Sequence, residues 1–238
     1  MSIEALQSMV DESKNIVFFG GAGVSTESGL KDFRSEDGLY SMRYPYPPET
    51  MLSHSFFMTH TEEFYAFYRD KLLCPDVEPN VAHRKLAELE RAGKLTAVVT
   101  QNIDRLHQLA GSQSVLELHG SVHRSFCMKC RKRYDIQFVL QSVGVPKCSC
   151  GGIIKPDVVL YEETLDERVL HAAVRAISEA DMLIVGGTSL AVYPAAGLID
   201  YYSGKRLVLI NKSSTAYDRR ANLLIADSIG KTLSQIKV

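Results

Sequence analysis

Three short strings in this chain carry side chains that can do chemistry. Gly21-Ala22-Gly23-Val24-Ser25 follows an apolar run at residues 16–19. Glycines there let the backbone turn sharply and approach a pyrophosphate, whose charge the free amides of a helix start can meet. The string matches the dinucleotide fingerprint only in part, because Thr26 occupies the third glycine position. Asp32-Phe33-Arg34 adds an aromatic ring and a cation close by. The second string, Thr100-Gln101-Asn102-Ile103-Asp104, ends another apolar run at residues 95–99. Gln101 and Asn102 offer amide donors and acceptors suited to sugar hydroxyls or a carboxamide. Asp104 can accept from such an amide, or can cap the helix that follows. The third is His119-Gly120, closing a run at residues 115–118. Histidine titrates near neutrality and is the usual general base. Because a second strand end in the chain also bears polar groups, His119 is assigned to catalysis. The other six histidines (His54, His60, His83, His107, His123, His171) are read as structural.

A fourth constellation is metallic. Cys127-Met128-Lys129-Cys130 and Cys148-Ser149-Cys150 are separated by 17 residues. Four thiolates on two turns satisfy one tetrahedral zinc, leaving no open position, so the ion is structural and stabilises a small insert. A redox pair is the rival, but it needs only one CxxC. Cys74 stands apart.

These strings need elements to hold them. Apolar, β-branched runs at residues 16–19, 95–99, 115–118, 182–185, 206–210 and 223–225 lack alternation, as suits strands buried on both faces. Helical stretches at 80–92, 104–110, 166–180 and 194–202 alternate with them. The expected fold is therefore α/β: a doubly wound, mostly parallel Rossmann-like sheet with a smaller zinc-binding insert and a helical insert. Residues 1–37, 80–122 and 153–238 form the large domain. Residues 38–79 form the helical module, helical through 56–73, and residues 123–152 the zinc module. Ligands bind such sheets at the carboxyl ends of the strands, where the polar strings lie.

Composition narrows the class. With 238 residues, 45% apolar and 23% charged, the chain is ordinary globular protein. A formal net charge of -1 gives no bulk attraction to nucleic acid or an anionic membrane. The basic run 129–133 reads as a solvated face. The first 14 residues are amphipathic and acidic, without the marks of a signal peptide, and no apolar run is long enough to span a bilayer. A cytoplasmic monomer is the default expectation.

The strings together resemble the sirtuins, NAD-dependent protein deacylases, of the bacterial type with a single catalytic domain. The resemblance covers nearly the whole chain: Gly21–Ser25, then Ser28-Gly29-Leu30-Lys31-Asp32-Phe33-Arg34, Thr100–Asp104, His119-Gly120, Lys155-Pro156-Asp157-Val158-Val159, Gly187-Thr188-Ser189-Leu190 and Asn211. It implies an NAD-dependent protein-lysine deacetylase: the acyl oxygen attacks the ribose carbon that bears nicotinamide, nicotinamide leaves, and O-acetyl-ADP-ribose forms. His119 would take a proton from a ribose hydroxyl. Asn102 would hold the ribose and a water, and Ile103 and Asp104 would line the nicotinamide pocket. Gly21, Ala22, Gly23, Thr26, Phe33, Arg34, Gln101, Gly187, Thr188, Ser189, Asn211 and Ile229 would contact NAD. The acetylated-lysine peptide would lie as an added strand between Val159-Leu160, with Tyr161 beside them, and the Gly187–Val192 loop.

Some positions depart from the pattern. Lys31 replaces a proline, which loosens the cofactor loop. Tyr161-Glu162 replaces Phe-Gly, which adds charge to the substrate cleft and suggests a preference for basic flanks. Sirtuins that favour succinyl groups resemble one another in a Tyr-x-x-Arg pair. Here Tyr65 is followed at that spacing by Tyr68, and Arg69 comes one residue late, about 100° around a helix. Uncharged acyl groups are expected. ADP-ribosyl transfer from the same pocket is the alternative enzyme reading, and a zinc-ribbon nucleic-acid module the alternative from another class. A dehydrogenase is disfavoured by the missing third glycine and by the lack of an acidic residue ending a second strand.

Overall fold

The computed structural model describes residues 2–32, 38 and 44–238. Phe33 and Arg34 lie outside the described residues. The strands are β1 (Ile16–Gly20), β2 (Leu95–Thr100), β3 (Val115–Glu117), β4 (Gly120–Cys127), β5 (Arg133–Asp135), β6 (Ile154–Val158), β7 (Met182–Gly186), β8 (Leu207–Ile210) and β9 (Leu223–Ile225). Six of them form one sheet in the order β3-β2-β1-β7-β8-β9. Every pairing in it is parallel. The order reverses between β1 and β7, and the crevice at that switch point is where such sheets take ligands.

The helices are α1 (Ser2–Glu12), α2 (Pro48–Met51), α3 (His54–Thr59), α4 (Thr61–Lys71), α5 (Val81–Arg91), α6 (Leu106–Leu109), α7 (Ile136–Gln141), α8 (Glu167–Glu179) and α9 (Ile229–Leu233). Alternate side chains of the large sheet go to opposite layers. Val17, Phe19, Leu183, Val185 and Leu209 join Ala173 and Ile177 of α8 and the segment Ala195–Tyr201. Ile16, Phe18, Ile184 and Val208 join Leu6 of α1, Leu86 and Leu89 of α5, and Leu233 of α9. Helices on both faces exclude water from both sides of each strand. That explains why the runs at 16–19 and 182–185 show no alternation.

A second, antiparallel sheet has the order β5-β4-β6. Its β4 and β6 pack with α3, α4 and α7 around Phe57, Phe64, Tyr65, Tyr68, Val122 and Leu160. The cysteines gather at its far end with Ile154, Tyr134 and Phe138.

Three expectations are corrected. The helical run 56–73 divides at His60, whose backbone (φ −129, ψ 48) leaves the helical region. Residues 195–201 wind as a 3-10 helix, opened by a Gly197 amide donating to Pro194 O. No α-helix start follows β1 among the described residues. Two 3-10 turns, Ala22–Val24 and Thr26–Ser28, take its place, and Gly29 at φ 89 ends them. With single turns there is little summed dipole, so any phosphate here is met by local amides.

Candidate active site

The three polar strings meet at the carboxyl ends of β1, β2, β3 and β7. The Gly23 amide donates to Gly187 O at 2.8 Å, and a Cβ on Gly23 would stand 2.8 Å from the Gly187 Cα. Glycine is required because two backbones touch there. Gly21 and Gly23 therefore face Gly187 and Thr188 across one narrow seam. Polar bonds flank it. Gln101 Nε2 donates to Thr188 Oγ1 at 3.0 Å, and the Thr188 amide donates to Asn211 Oδ1 at 3.0 Å. Thr26 Oγ1 donates to Gly23 O at 3.0 Å.

Asn211 directly follows β8 and is buried, yet its Nδ2 has no partner among the described residues. Ser28 Oγ is likewise without one. A buried amide donor left unmade costs about 1–3 kcal/mol, so an arriving polar ligand satisfies what the fold does not. Amide donors, hydroxyls and backbone contact around a glycine seam fit a dinucleotide such as NAD.

Ser25 is the hub beneath the polar turn. Its hydroxyl donates to Asp104 Oδ2 at 2.6 Å and accepts from Asn102 Nδ2 at 3.0 Å. His83 Nε2 lies 3.5 Å from the same oxygen. The other Asp104 oxygen accepts from the Leu106 amide at 2.9 Å, so this residue both caps α6 and faces the site. Burial raises the Asp104 pKa, against the lowering effect of Ser25 and the Leu106 amide. Ile103 O accepts from the Val122 amide at 3.0 Å, tying the turn to the small sheet.

His119 stands between β3 and β4. Its Nδ1 is 3.0 Å from Gln101 O, a carbonyl that can only accept, so Nδ1 carries the proton and Nε2 keeps a lone pair. Burial lowers the ring's pKa, with the Gln101 bond opposing it. His119 is thus neutral, in its base form, at pH 7. Gly120 has φ 74, and a Cβ there would come within 2.0 Å of Asp157 O. Only glycine lets β4 leave His119 at that angle. The His119 carbonyl accepts from the Val159 amide at 3.0 Å, which places residues 159–161 beside the base.

Of those three residues, Leu160 is buried in the apolar cluster, while Val159 is half-exposed and Tyr161 exposed. The Leu160 side chain therefore belongs to the core, and its amide and carbonyl both bond Glu163. Ile229 is also buried in the core, where its side chain backs Gly186. A cavity of 740 Å³ lies away from this crevice, among His60, Glu63, Val143 and Lys147.

The four cysteine sulfurs lie within 4.8 Å of one another. Cys127 Sγ is 3.5 Å from Cys150 Sγ, and Cys130 Sγ is 3.6 Å from Cys148 Sγ. Tetrahedral zinc with four thiolates at ~2.3 Å sets its sulfurs about 3.8 Å apart. The donor set and spacing fit zinc, with all four positions filled by protein.

The chain matches the model of the Sir2 family over residues 21–194. It belongs to the Sir2 family. An NAD-dependent protein deacetylase of Clostridium acetobutylicum is 61% identical over 238 residues, covering 98% of this chain and 97% of that one. Its counterpart in Cutibacterium acnes is 54% identical, covering 100% and 98%. A Sir2 structure with deacetylated p53 peptide and 3'-O-acetyl-ADP-ribose has a TM-score of 0.91 at 38% identity, covering 99% of this chain and 97% of that chain. Another, of Sir2 with p53 peptide and NAD+, has a TM-score of 0.86 at 38% identity, covering 98% and 96%.

Within this Sir2 chain, sequence reasoning passed over Ser25 as a contact in its own right, and took His83 for a core residue. His83 is fully buried in α5, and burial pushes its pKa down to about 4. Asn80 and His83 form a reciprocal cap, Asn80 accepting from the Ala82 and His83 amides. The spacing Asn80-x-x-His83 was the available signal, since a capping pair three apart marks a helix start. Nothing in it says that the ring's other side reaches Ser25.

Proposed function

We propose that the protein is an NAD-dependent protein-lysine deacetylase that releases nicotinamide and forms O-acetyl-ADP-ribose. The observation that carries this reading is His119, a neutral imidazole with Nε2 held ready by the Gln101 carbonyl at the mouth of a glycine-seamed crevice. NAD, when bound, supplies a ribose carbon made electrophilic by its cationic nicotinamide leaving group. The chain's own residues then have separate tasks. His119 Nε2 accepts the proton of a ribose hydroxyl. Asn102, fixed through Ser25, orients the sugar, and Asp104 holds the carboxamide beside Ile103. Gly21, Ala22, Gly23, Thr26, Gln101, Gly187, Thr188, Ser189 and Asn211 supply amides, hydroxyls and close backbone for the rest of the nucleotide.

An acetylated peptide lies as an added strand between Val159-Leu160, with Tyr161, and the 187–192 loop. Zinc, bound by Cys127, Cys130, Cys148 and Cys150, contributes folding energy to the small sheet and takes no part in the reaction. Residues 1–37, 80–122 and 153–238 serve as the nucleotide-binding unit, with 38–79 and 123–152 as helical and zinc modules. A cytoplasmic location suits a consumer of NAD with reduced zinc thiolates. Among the described residues no helix is long and apolar enough to cross a membrane.

Incubating an acetyl-lysine peptide with protein and NAD tests the reading by mass spectrometry. Coupled appearance of free lysine, nicotinamide and O-acetyl-ADP-ribose is expected. ADP-ribose left on protein, without deacetylation, would replace it with transferase activity. Uncharged acyl groups are the expected substrates. Arg69 is spent on Val139 O, Ser142 Oγ and Gly144 O, and Tyr65 OH on Ile154 O, so neither is poised for an acyl carboxylate. Faster turnover of succinyl-lysine than acetyl-lysine would overturn this.

A further inference from the structure

Residues 160–163 form a turn closed by the Glu163 amide donating to Leu160 O at 3.0 Å. Its third residue, Glu162, has φ 74, a backbone region where glycine is at ease and a glutamate is strained. The side chain of Glu162 accounts for its presence. Its Oε2 accepts from both the amide and the hydroxyl of Ser55, at 2.9 and 2.6 Å, in the first turn of α3. These two bonds are the main reason its carboxyl titrates below the usual range.

The next residue repeats the device. Glu163 Oε1 meets His54 Nδ1 at 2.8 Å. Its Oε2 accepts from the buried Lys155 Nζ at 2.9 Å and from the Leu160 amide at 3.0 Å. Backbone bonds complete the attachment, with Tyr161 N donating to Leu52 O and His54 N donating to Tyr161 O, each at 3.0 Å. Two adjacent carboxylates thus fasten one turn to two adjacent residues of α3. The same segment begins at Val159, whose amide is bonded to His119 O.

We propose that Glu162 is a positioning residue for the peptide substrate: through Ser55 it anchors the edge at residues 159–161 to α3, in register with His119. This rests on the deacetylase reading above, with the peptide lying beside that segment. It also changes the expectation for Glu162. A carboxylate occupied by Ser55 holds the strand's shape, whichever charges flank the acyl-lysine. The consequence falls on peptide affinity, because the bonds that fasten this turn run to Leu52, to α3 and to Lys155.

The test uses the zinc-loaded full chain and the variants Glu162→Ala, Ser55→Ala and the double variant. Glu163→Gln is avoided because it strands a buried lysine. Without NAD or peptide, amide exchange at residues 53–57 and 159–161 should quicken in Glu162→Ala while β1 and β7 stay protected. With two acetyl-lysine peptides, one flanked by basic and one by acidic residues, Glu162→Ala should raise KM for both by about fivefold. Its kcat and KM for NAD should stay within about twofold of wild type. Ser55→Ala, which removes one of the two bonds, should give a smaller rise that vanishes in the Glu162→Ala background. Unchanged exchange and unchanged peptide KM would overturn the proposal. So would a KM rise confined to the basic-flanked peptide, which would make Glu162 a reader of substrate charge. A wild-type protein without NAD-dependent deacetylation would remove the functional reading, and the exchange measurement would still decide the anchoring.

Discussion

Replacing Ser25 with alanine removes the atom on which the polar turn is hung. The hydroxyl has one proton, given to Asp104 Oδ2 at 2.6 Å, and lone pairs that meet Asn102 Nδ2 at 3.0 Å. A bond to a charged acceptor contributes about 1.5–3 kcal/mol and a neutral one about 1, and water can recover part of either in a site that opens to solvent. The expected loss of stability is about 2–3 kcal/mol, read as a lower urea midpoint at unchanged slope. That loss depends on pH in a definite sense. Asp104 has its folded pKa raised by burial, so its contribution is present below the unfolded value and is lost as pH rises through the folded one. Ser25 opposes that rise. Without it the folded pKa climbs further, so the penalty of Ser25→Ala should be larger at pH 7 than near pH 4. Activity should suffer more than stability, because Asn102 and Asp104 are the groups that the proposed mechanism places on substrate. A fall in kcat/KM of about 10²-fold is expected at temperatures where the variant is fully folded, equivalent to about 2.7 kcal/mol. A double-mutant cycle with Asp104→Asn should show strong coupling. Additive effects, or wild-type kcat/KM in Ser25→Ala, would refute the hub.

His119→Ala should abolish turnover while retaining fold and zinc, checked by product mass spectrometry, circular dichroism and metal analysis. Because burial lowers the His119 pKa, the acid limb of kcat/KM in wild type should be centred below the ordinary imidazole value of 6.5; an acid limb centred above pH 7 would contradict the assignment. His83 and His107 are buried neutral, with His83 at about 4, so their contribution to stability is present above the unfolded value near 6.5 and is lost as pH falls toward 4. For His83 this amounts to about 3 kcal/mol, and His83→Gln should flatten the dependence of urea stability on pH between 6.5 and 4. Chelation should release one zinc per chain and expose the small sheet to protease before the large one, and loss of activity should follow that unfolding rather than precede it.

The large sheet was legible because its strands are buried on both faces: six apolar runs bounded by turn residues left little freedom in their placing. The cysteine pairs were legible for a similar reason, since ligand type and spacing are local properties. Local patterns failed where the outcome depended on what lay across the fold. The break at His60 is a backbone event inside an aromatic run with no proline or glycine to announce it. The 3-10 turns after β1 look in sequence like the start of a nucleotide-binding helix. Glu162 reads as a charge added to a cleft until its carboxylate is seen on Ser55, 107 residues away in the chain.

By itself the sequence determined the strands of the large sheet, the zinc ligands and the chemical types at the strand ends, all of which follow from hydropathy, turn chemistry and spacing over a few residues. Which of those groups touch was decided by the tertiary structure alone. Ser25 and Asp104 are separated by 79 positions and Gln101 and Thr188 by 87, and they meet only because parallel strands bring all their carboxyl ends to one side of the sheet. The state of His119 was decided there too. Its base form depends on burial and on a carbonyl 18 residues back, neither of which is written in the residues next to it.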